Sequence, residues 1–340
     1  FLLILLKPVL VNLLYLIFPV SGQTKSLIND YIAIRIFSAP AEFTIYILVG
    51  FFLGIQKTFI SSSLIIISCI LNIILSIYFV IELNLGVSGV ALGSLLAMYI
   101  TGIIFLFFTY KFIIKKYKVI PRFNYKSIFN FRKIFRLLNI NFNIFIRTIL
   151  LTFSFFWITY LGSTLGEEYV AINAILMQLI IISSFFLDAY AFSTESIIGY
   201  SIGKKSKKMF LTSVKNSIIL SFLTGVLISI FYIFFAKDLI NYLTDLEYLR
   251  FLSYKYLLWV IIIPPVASFC YQLDGIFTGA THTKEMRNAM IGSVIVYIFL
   301  SIFLTQKLHN YGIWFSLLML MILRTSTLHF YFNKILIKFR

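Results

Sequence analysis

Two carboxylates lie within a long apolar stretch, at a spacing that suits the binding and release of a cation. Asp188 and Glu195 belong to the segment from Glu167 to Lys208, which begins with an acidic pair and ends in a lysine cluster. Seven residues correspond to about 700° of helical rotation, so both side chains should point the same way. Charged groups in hydrocarbon are costly and generally face a cavity or a partner. We therefore predict a membrane span with a cation or substrate site; the alternative is that each acid pairs with a basic residue of a neighbouring span.

The composition indicates an integral membrane protein. Of the 340 residues, 61% are hydrophobic and only 12% are charged, and repeated apolar runs of about 20 residues are what a bilayer requires. We predict an all-α, polytopic membrane protein. Cys69 and Cys270 lie in apolar runs, so we expect neither a disulfide nor a metal site. The first run has the features of a span rather than of a signal peptide, and we expect that N-terminal sequence is missing.

Polar residues, glycines and prolines divide the chain into ten candidate spans. We place them at about 1–20, 29–55, 57–81, 86–110, 138–161, 169–202, 209–235, 251–279, 287–305 and 312–334. Most lysines and arginines fall in every second connection, and most acids fall in the others. The net charge of +17 therefore indicates topology rather than a nucleic-acid partner. The positive-inside rule predicts a cytoplasmic C-terminus and a cytoplasmic 111–137 connection.

An internal repeat divides the chain into two lobes. At an offset of 225 residues, a proline, a GxxxG pair and a threonine recur: Pro40, Gly50, Gly54 and Thr58 match Pro265, Gly275, Gly279 and Thr283. This predicts a partial N-terminal lobe of four spans (1–110) and a C-terminal lobe of six spans (138–340). Between them we predict a cytoplasmic connector (111–137) with an amphipathic helix along the inner membrane surface. Two spans are then missing from the front of a six-plus-six architecture with two pseudo-symmetric bundles.

Several stretches resemble the multidrug and toxic compound extrusion (MATE) family, in particular its DNA-damage-inducible F branch. They are YIAIRIFSAP from Tyr31, GVSGVALGSLLA from Gly86, NFNIFIRTILL from Asn141, the motifs between 170 and 205, and LDGIFTGATHTKEMRNAM from Leu273. The resemblance implies a twelve-span secondary exporter in the cytoplasmic membrane. It exchanges inward-moving H⁺ or Na⁺ for amphipathic, often cationic compounds, and it needs no cofactor. We expect a monomer surrounded by membrane lipid.

The resemblance also implies which residues form the cation and substrate sites. In the first lobe the family positions fall on Asn72, Ser76 and Ser94, but Ser76 stands where the family commonly has an aspartate. In the second lobe the resemblance points to Asp188 and Glu195, and Asp274 matches a further carboxylate used by some relatives. We therefore expect coupling to rest on the second lobe.

Arginines within the spans leave a second function open, namely a flippase for lipid-linked oligosaccharide or peptidoglycan precursors. An anionic pyrophosphate cargo would favour a cavity lined by Arg35, Arg147 and Arg324, so Arg147 counts among the candidate substrate-binding residues. The alternative is that these arginines pair with acids inside each bundle, as the spacing of Arg35 and Glu42 allows. An intramembrane enzyme is not expected, because the chain lacks HExxH and closely spaced aspartates.

Overall fold

The computed structural model describes residues 7–8, 11, 22–118 and 130–339 of the chain. Within these residues every regular element is a helix, and nine helical segments are long and apolar enough to cross a membrane. The prediction of an all-α, polytopic membrane protein is therefore confirmed. The chain divides into two compact units, Phe1–Asn124 and Tyr125–Arg340, called unit 1 and unit 2 below. The predicted first span, 1–20, lies almost entirely outside the described residues.

The described part of unit 1 contains four α-helices. They are α1 (Gly22–Arg35), α2 (Ala39–Gly54), α3 (Thr58–Ile77) and α4 (Gly86–Tyr117). The turn Ile36–Ser38 is a 3₁₀-helix that joins α1 to α2, and a π-helical turn, Tyr78–Glu82, follows α3. The predicted span at about 29–55 corresponds to the apolar segment Thr24–Gly54, and its helix begins earlier than predicted, at Gly22. Intrahelical hydrogen bonds also form in polar surroundings, so the end of an apolar run does not end a helix.

Unit 2 contains seven α-helices among the described residues. They are α5 (Phe131–Leu165), α6 (Glu167–Gly203), α7 (Lys207–Leu243), α8 (Glu247–Tyr254), α9 (Leu257–Gly279), α10 (Thr283–Leu308) and α11 (Asn310–Leu336). Helices α6 and α7 have 37 residues each, about 55 Å, which exceeds the hydrocarbon thickness of about 30 Å. The predicted span 251–279 was wrong at its start, because the short α8 is separate from α9.

The predicted connector 111–137 differs from the structure, because the helices on both sides extend into it. Helix α4 continues to Tyr117, and the basic and apolar residues from Phe131 onward form the first turns of α5. Within the described residues there is thus no separate helix in this connector, although residues 119–129 are not described. The side chain of Asn130 accepts a hydrogen bond from the backbone N–H of Lys133 at 3.3 Å and caps α5. The cap marks the start of a single helix, Phe131–Leu165, in which the basic first turns continue directly into the span.

Equivalent turns support the internal repeat. Gln56, after α2, has φ 60°, and Thr281, which follows it at an offset of 225 residues, has φ 57° after α9. The backbone N–H groups of Lys57 and His282 each bond a carbonyl five residues earlier, those of Phe52 and Phe277. Matching hydrogen bonds and a matching left-handed residue show that the two copies share a local structure.

Polar pairs lie inside the core of unit 2. Trp314 is fully buried, and its indole N–H donates to the side-chain oxygen of Asn173 at 2.9 Å. Asn173 and Asn310 also exchange hydrogen bonds at 2.8 and 3.0 Å. These contacts connect α6 with α11 and satisfy polar groups that would be costly in an apolar interior.

The two prolines within α9 have no backbone N–H to donate, and a side chain of a neighbouring helix takes the place of one missing donor. Pro265 cannot donate to the carbonyl of Ile261, and the hydroxyl of Ser229 on α7 donates to that carbonyl at 2.6 Å. Gly225 lies one turn earlier on α7, and a Cβ there would approach the Pro264 carbonyl oxygen to 2.9 Å. The prolines thus form part of a tight contact between α7 and α9.

The two GxxxG pairs differ in how closely a second helix approaches them. In unit 2, a Cβ on Gly275 would lie 2.5 Å from the carbonyl oxygen of Ala191, and a Cβ on Gly279 would overlap the carbonyl oxygen of Glu195. In unit 1, a Cβ on Gly50 or Gly54 meets no described atom within 4 Å. Only the second pair therefore brings two described helices, α6 and α9, into close backbone contact.

We expect Gly279→Ala to destabilise the protein by about 1–3 kcal/mol, because the added methyl group must push α9 away from α6. Gly54→Ala is the matched control from the other copy of the repeat, and it should change stability little. The measurement is the unfolding midpoint of the purified full-length protein in detergent. Equal midpoints for the two variants would contradict the close contact.

Candidate functional site

A largely buried ion cluster joins three helices of unit 2. Asp274 on α9 accepts a hydrogen bond through its Oδ2 atom from Arg147 on α5 and another from Arg324 on α11, the latter at 2.6 Å. The side chains of Arg324 and Asp274 are 5% and 11% exposed, and that of Arg147 is 21% exposed. One carboxylate therefore holds three helices together through two guanidinium groups.

Asp188 lies beside this cluster without joining it directly. It is half-buried on α6 and lies in the electrostatic field of Asp274, Arg147 and Arg324. Within the described part of the chain, it forms no hydrogen bond or ion pair. Its carboxyl group is therefore influenced by positive charges but is not tied to either of them.

Glu195 lies two turns further along α6, in different surroundings. Its side chain is half-buried, and its backbone is in close contact with Gly279. Among the described residues, none forms an ion pair with it. The predicted pair of acids thus lies on one helix, and neither acid forms an ion pair in this part of the chain.

Two side-chain hydrogen bonds between α6 and α9 lie close in sequence to the two acids of α6. Tyr271 donates to Ser184 at 2.7 Å, and Thr194 donates to the side-chain oxygen of Gln272 at 2.8 Å. Together with the contacts of Gly275 and Gly279, these bonds hold α9 against the segment of α6 that carries both acids. The acids therefore project from a firmly packed helix pair.

The three predicted residues of unit 1 lie together. Asn72 on α3 donates to the hydroxyl of Ser94 on α4 at 2.9 Å, and Ser76 donates to the side-chain oxygen of Asn72 at 3.4 Å. A Cβ on Gly93 would lie 2.6 Å from the Ser76 hydroxyl oxygen, so α3 and α4 are closely packed here. The cluster contains no carboxylate, since a serine stands at position 76.

Arg35, Arg147 and Arg324 each form an ion pair with an acid of their own unit. Arg35 forms an ion pair with Glu42, and Ser38 donates to Glu42 at 2.8 Å. This is the local pairing that their spacing of seven residues allowed. Arg147, predicted as a substrate-binding residue, pairs with Asp274 instead of lying free.

The sequence leaves Arg324 open, either as a cavity residue or as a member of a buried pair. The structure shows that it shares Asp274 with Arg147. A basic residue in an apolar span was the only available signal, and it could not identify a partner 50 residues away. In the described residues, no three His, Cys, Asp or Glu side chains lie close enough to hold a metal ion.

Comparisons with known proteins agree with the helical arrangement. Residues 144–304 match the family model MatE. The chain is 34% identical to DNA damage-inducible protein F of Escherichia coli over 300 residues, which cover 88% of this chain and 64% of that protein. It is 24% identical to Protein DETOXIFICATION 43 of Arabidopsis thaliana over 299 residues, which cover 88% of this chain and 55% of that protein. The chain therefore spans between about half and two thirds of these curated relatives.

A solved structure shows the same fold. A MOP superfamily transporter from Pyrococcus furiosus superimposes with a TM-score of 0.87 at 17% identity, over 99% of this chain and 76% of that chain. At this level of identity, the similarity concerns the arrangement of helices alone.

Proposed function

Because the chain belongs to the multidrug and toxic compound extrusion family, we propose that it is part of a secondary active exporter driven by H⁺ or Na⁺. The members of this family are transporters and not enzymes. The exported compounds are small, amphipathic and in most cases cationic. The coupling ion moves inward across the membrane while the compound moves outward.

The observation that carries this proposal is the pair of acids within α6 that form no ion pair in the described residues. A carboxylate in a membrane span is costly unless it binds something, and here it has no fixed partner. When Asp188 or Glu195 is charged, it attracts a cation; when it takes a proton from the outside, that attraction is lost. Binding of the proton and of the cationic compound is therefore competitive, as exchange requires.

The charge distribution supports an orientation and a location. Lysines cluster at 204–208 and near the C-terminus, whereas Glu167 and Glu168 lie at the opposite end of α6, and Asp238 and Asp245 lie at or just after the opposite end of α7. The positive-inside rule supports a cytoplasmic location of the lysine-rich ends and the C-terminus. The similarity to the MatE family supports the cytoplasmic membrane as the location of the protein. The transporter acts as a monomer with lipid around its apolar surface.

The pairing of the arginines weighs against the flippase alternative. A pyrophosphate cargo needs free guanidinium groups, but Arg35 is paired with Glu42, and Arg147 and Arg324 are paired with Asp274. The cargo would have to displace a carboxylate from a partly buried pair. Exchange of a cation at Asp188 or Glu195 needs no such displacement.

Everted membrane vesicles containing the full-length protein test the proposal. With an acidic or sodium-rich lumen, the vesicles should accumulate ethidium, and collapse of the gradient should release it. The gradient that supports uptake identifies the coupling ion. Vesicles that take up no ethidium under either gradient, but flip a fluorescent polyprenyl pyrophosphate without one, would favour the flippase instead.

A further inference from the structure

Helix α5 carries two lines of side chains at its first turns, one polar and one apolar. The polar line has spacings of four, three and four residues, so that its members share one side of the helix; they are Arg132, Arg136, Asn139 and Asn143. The apolar line is exposed and begins one residue earlier; its members are Phe131, Phe135, Leu138, Phe142 and Phe145. The two lines lie about 100° apart. Helix α5 is therefore amphipathic at the end where its charges lie.

The polar line meets α10 at Asn143, which is buried. Its side-chain oxygen accepts a hydrogen bond from Nη1 of Arg287 at 2.8 Å. Nε and Nη2 of Arg287 donate to the side-chain oxygen of Asn288 at 3.1 and 2.8 Å. A guanidinium group has five N–H donors, so two remain, one on each Nη atom. Two neutral amides thus hold a half-buried positive charge in place without neutralising it.

No carboxylate of the described residues neutralises the charges at this end of α5 and α10. All twelve acids of the chain lie within the described ranges, and none of them forms an ion pair with Arg132, Lys133, Arg136 or Arg287. Glu285, the acid closest in sequence to Arg287, is engaged in two other ion pairs, at 3.3 and 3.6 Å. An anion from outside the chain can therefore approach these cations without displacing a carboxylate.

The length of α5 places these charges at the level of the lipid headgroups. The apolar span predicted from the sequence begins near residue 138, and the helical rise from Arg132 to that residue is about 9 Å. The headgroup region on each side of a bilayer is about 5–8 Å thick. Arg136 therefore lies among the lipid phosphates, and Arg132 lies at their outer edge.

Resting on the orientation in the proposed function, we propose that the polar line of α5 and Arg287 of α10 bind the phosphate of an anionic phospholipid from the cytoplasmic leaflet. Guanidinium groups match phosphate oxygens with paired N–H donors. The exposed apolar line of α5 contacts the acyl chains. A zwitterionic headgroup carries an ammonium group of its own, which these cations repel, so the surface selects anionic lipid.

Titration of the purified full-length protein with phosphatidylglycerol in a non-ionic detergent tests the inference, with bound lipid counted by native mass spectrometry. A basic residue beside an anionic headgroup contributes about fivefold to affinity, so Arg136→Gln combined with Arg287→Gln should weaken binding roughly 30-fold. Wild-type protein should bind phosphatidylcholine about as weakly as this double variant binds phosphatidylglycerol.

Two further variants make the test specific. Lys237→Gln combined with Lys307→Gln also removes two positive charges, near the C-terminal ends of α7 and α10. Since Lys307 is at the opposite end of α10 from Arg287, this control should leave the affinity unchanged. Arg287→Lys keeps the charge but loses the paired donors, and it should weaken binding less than Arg287→Gln does.

Equal wild-type affinities for phosphatidylglycerol and phosphatidylcholine would overturn the inference, as would equal losses in the two double variants. Competition by glycerol phosphate at the concentration of the lipid would also overturn it, because the surface would then bind free phosphate. If the Arg136 and Arg287 double variant does not fold, Arg136→Gln decides alone, since Arg136 is exposed; its expected loss is about fivefold. Binding in detergent requires no transport, so failure of ethidium uptake in vesicles is a separate result.

Discussion

Glu195→Gln and Asp188→Asn are each expected to lower gradient-driven accumulation of a cationic dye by roughly 50-fold at a membrane potential of 100 mV. One charge moving through that potential supplies about 2.3 kcal/mol, which corresponds to a concentration ratio of about this size. An amide cannot take up or release the proton, so this contribution is lost. Asp188→Asn additionally leaves a positive charge beside Arg147 and Arg324.

The measurement is dye uptake into everted vesicles with imposed gradients, and the same helix offers a control. Glu167 is exposed in the first turn of α6, so Glu167→Gln should transport normally. Neither Asp188 nor Glu195 forms an ion pair in the described residues, and both variants should therefore unfold at nearly the wild-type temperature. If both retain wild-type, pH-dependent export, the assignment of these acids to coupling is wrong.

Asp274→Asn is expected to lower the stability of the protein by about 3–5 kcal/mol. Removal of one partner from a buried ion pair leaves an uncompensated charge, and here a single substitution leaves two guanidinium groups without their carboxylate. Glu42→Gln breaks a pair that is more exposed, with side chains 28% and 25% accessible, and should have a smaller effect.

A double variant separates this charge effect from simple loss of packing. Arg324→Met in the Asp274→Asn background removes the most deeply buried uncompensated charge and should restore much of the lost stability. Chemical unfolding of the purified full-length protein measures both effects. A double variant less stable than Asp274→Asn alone would show that Arg324 stabilises the helices independently of Asp274.

The membrane class and most of the spans were predictable from local sequence, because a bilayer imposes a local rule. Each span must be long and apolar, and it must satisfy its own backbone hydrogen bonds. The ends were less predictable. Helix α5 begins at Phe131 and not near 138, because helices continue beyond the hydrocarbon, where polar residues are also accommodated.

The repeated motif had different consequences in its two copies. The turns after α2 and α9 match in backbone conformation, as the offset of 225 residues indicated. Close helix contact occurs at Gly275 and Gly279 but not, within the described residues, at Gly50 and Gly54. A glycine permits close approach, but a second helix must be present to use it.

The sequence alone determined three features: the helical membrane class, the repeat, and the presence of Asp188 and Glu195 on one span. Hydrophobicity and helical periodicity act over short segments, so local sequence was sufficient for them. Tertiary structure decided the distribution of charge around these acids. Arg147 and Asp274 are 127 residues apart in the chain, and Arg324 reaches the same carboxylate from a third helix. Electrostatic interaction depends on distance in space, so only the packing of α5, α9 and α11 could show that the charges of Arg147 and Arg324 act on Asp188. Glu195 forms no ion pair among the described residues.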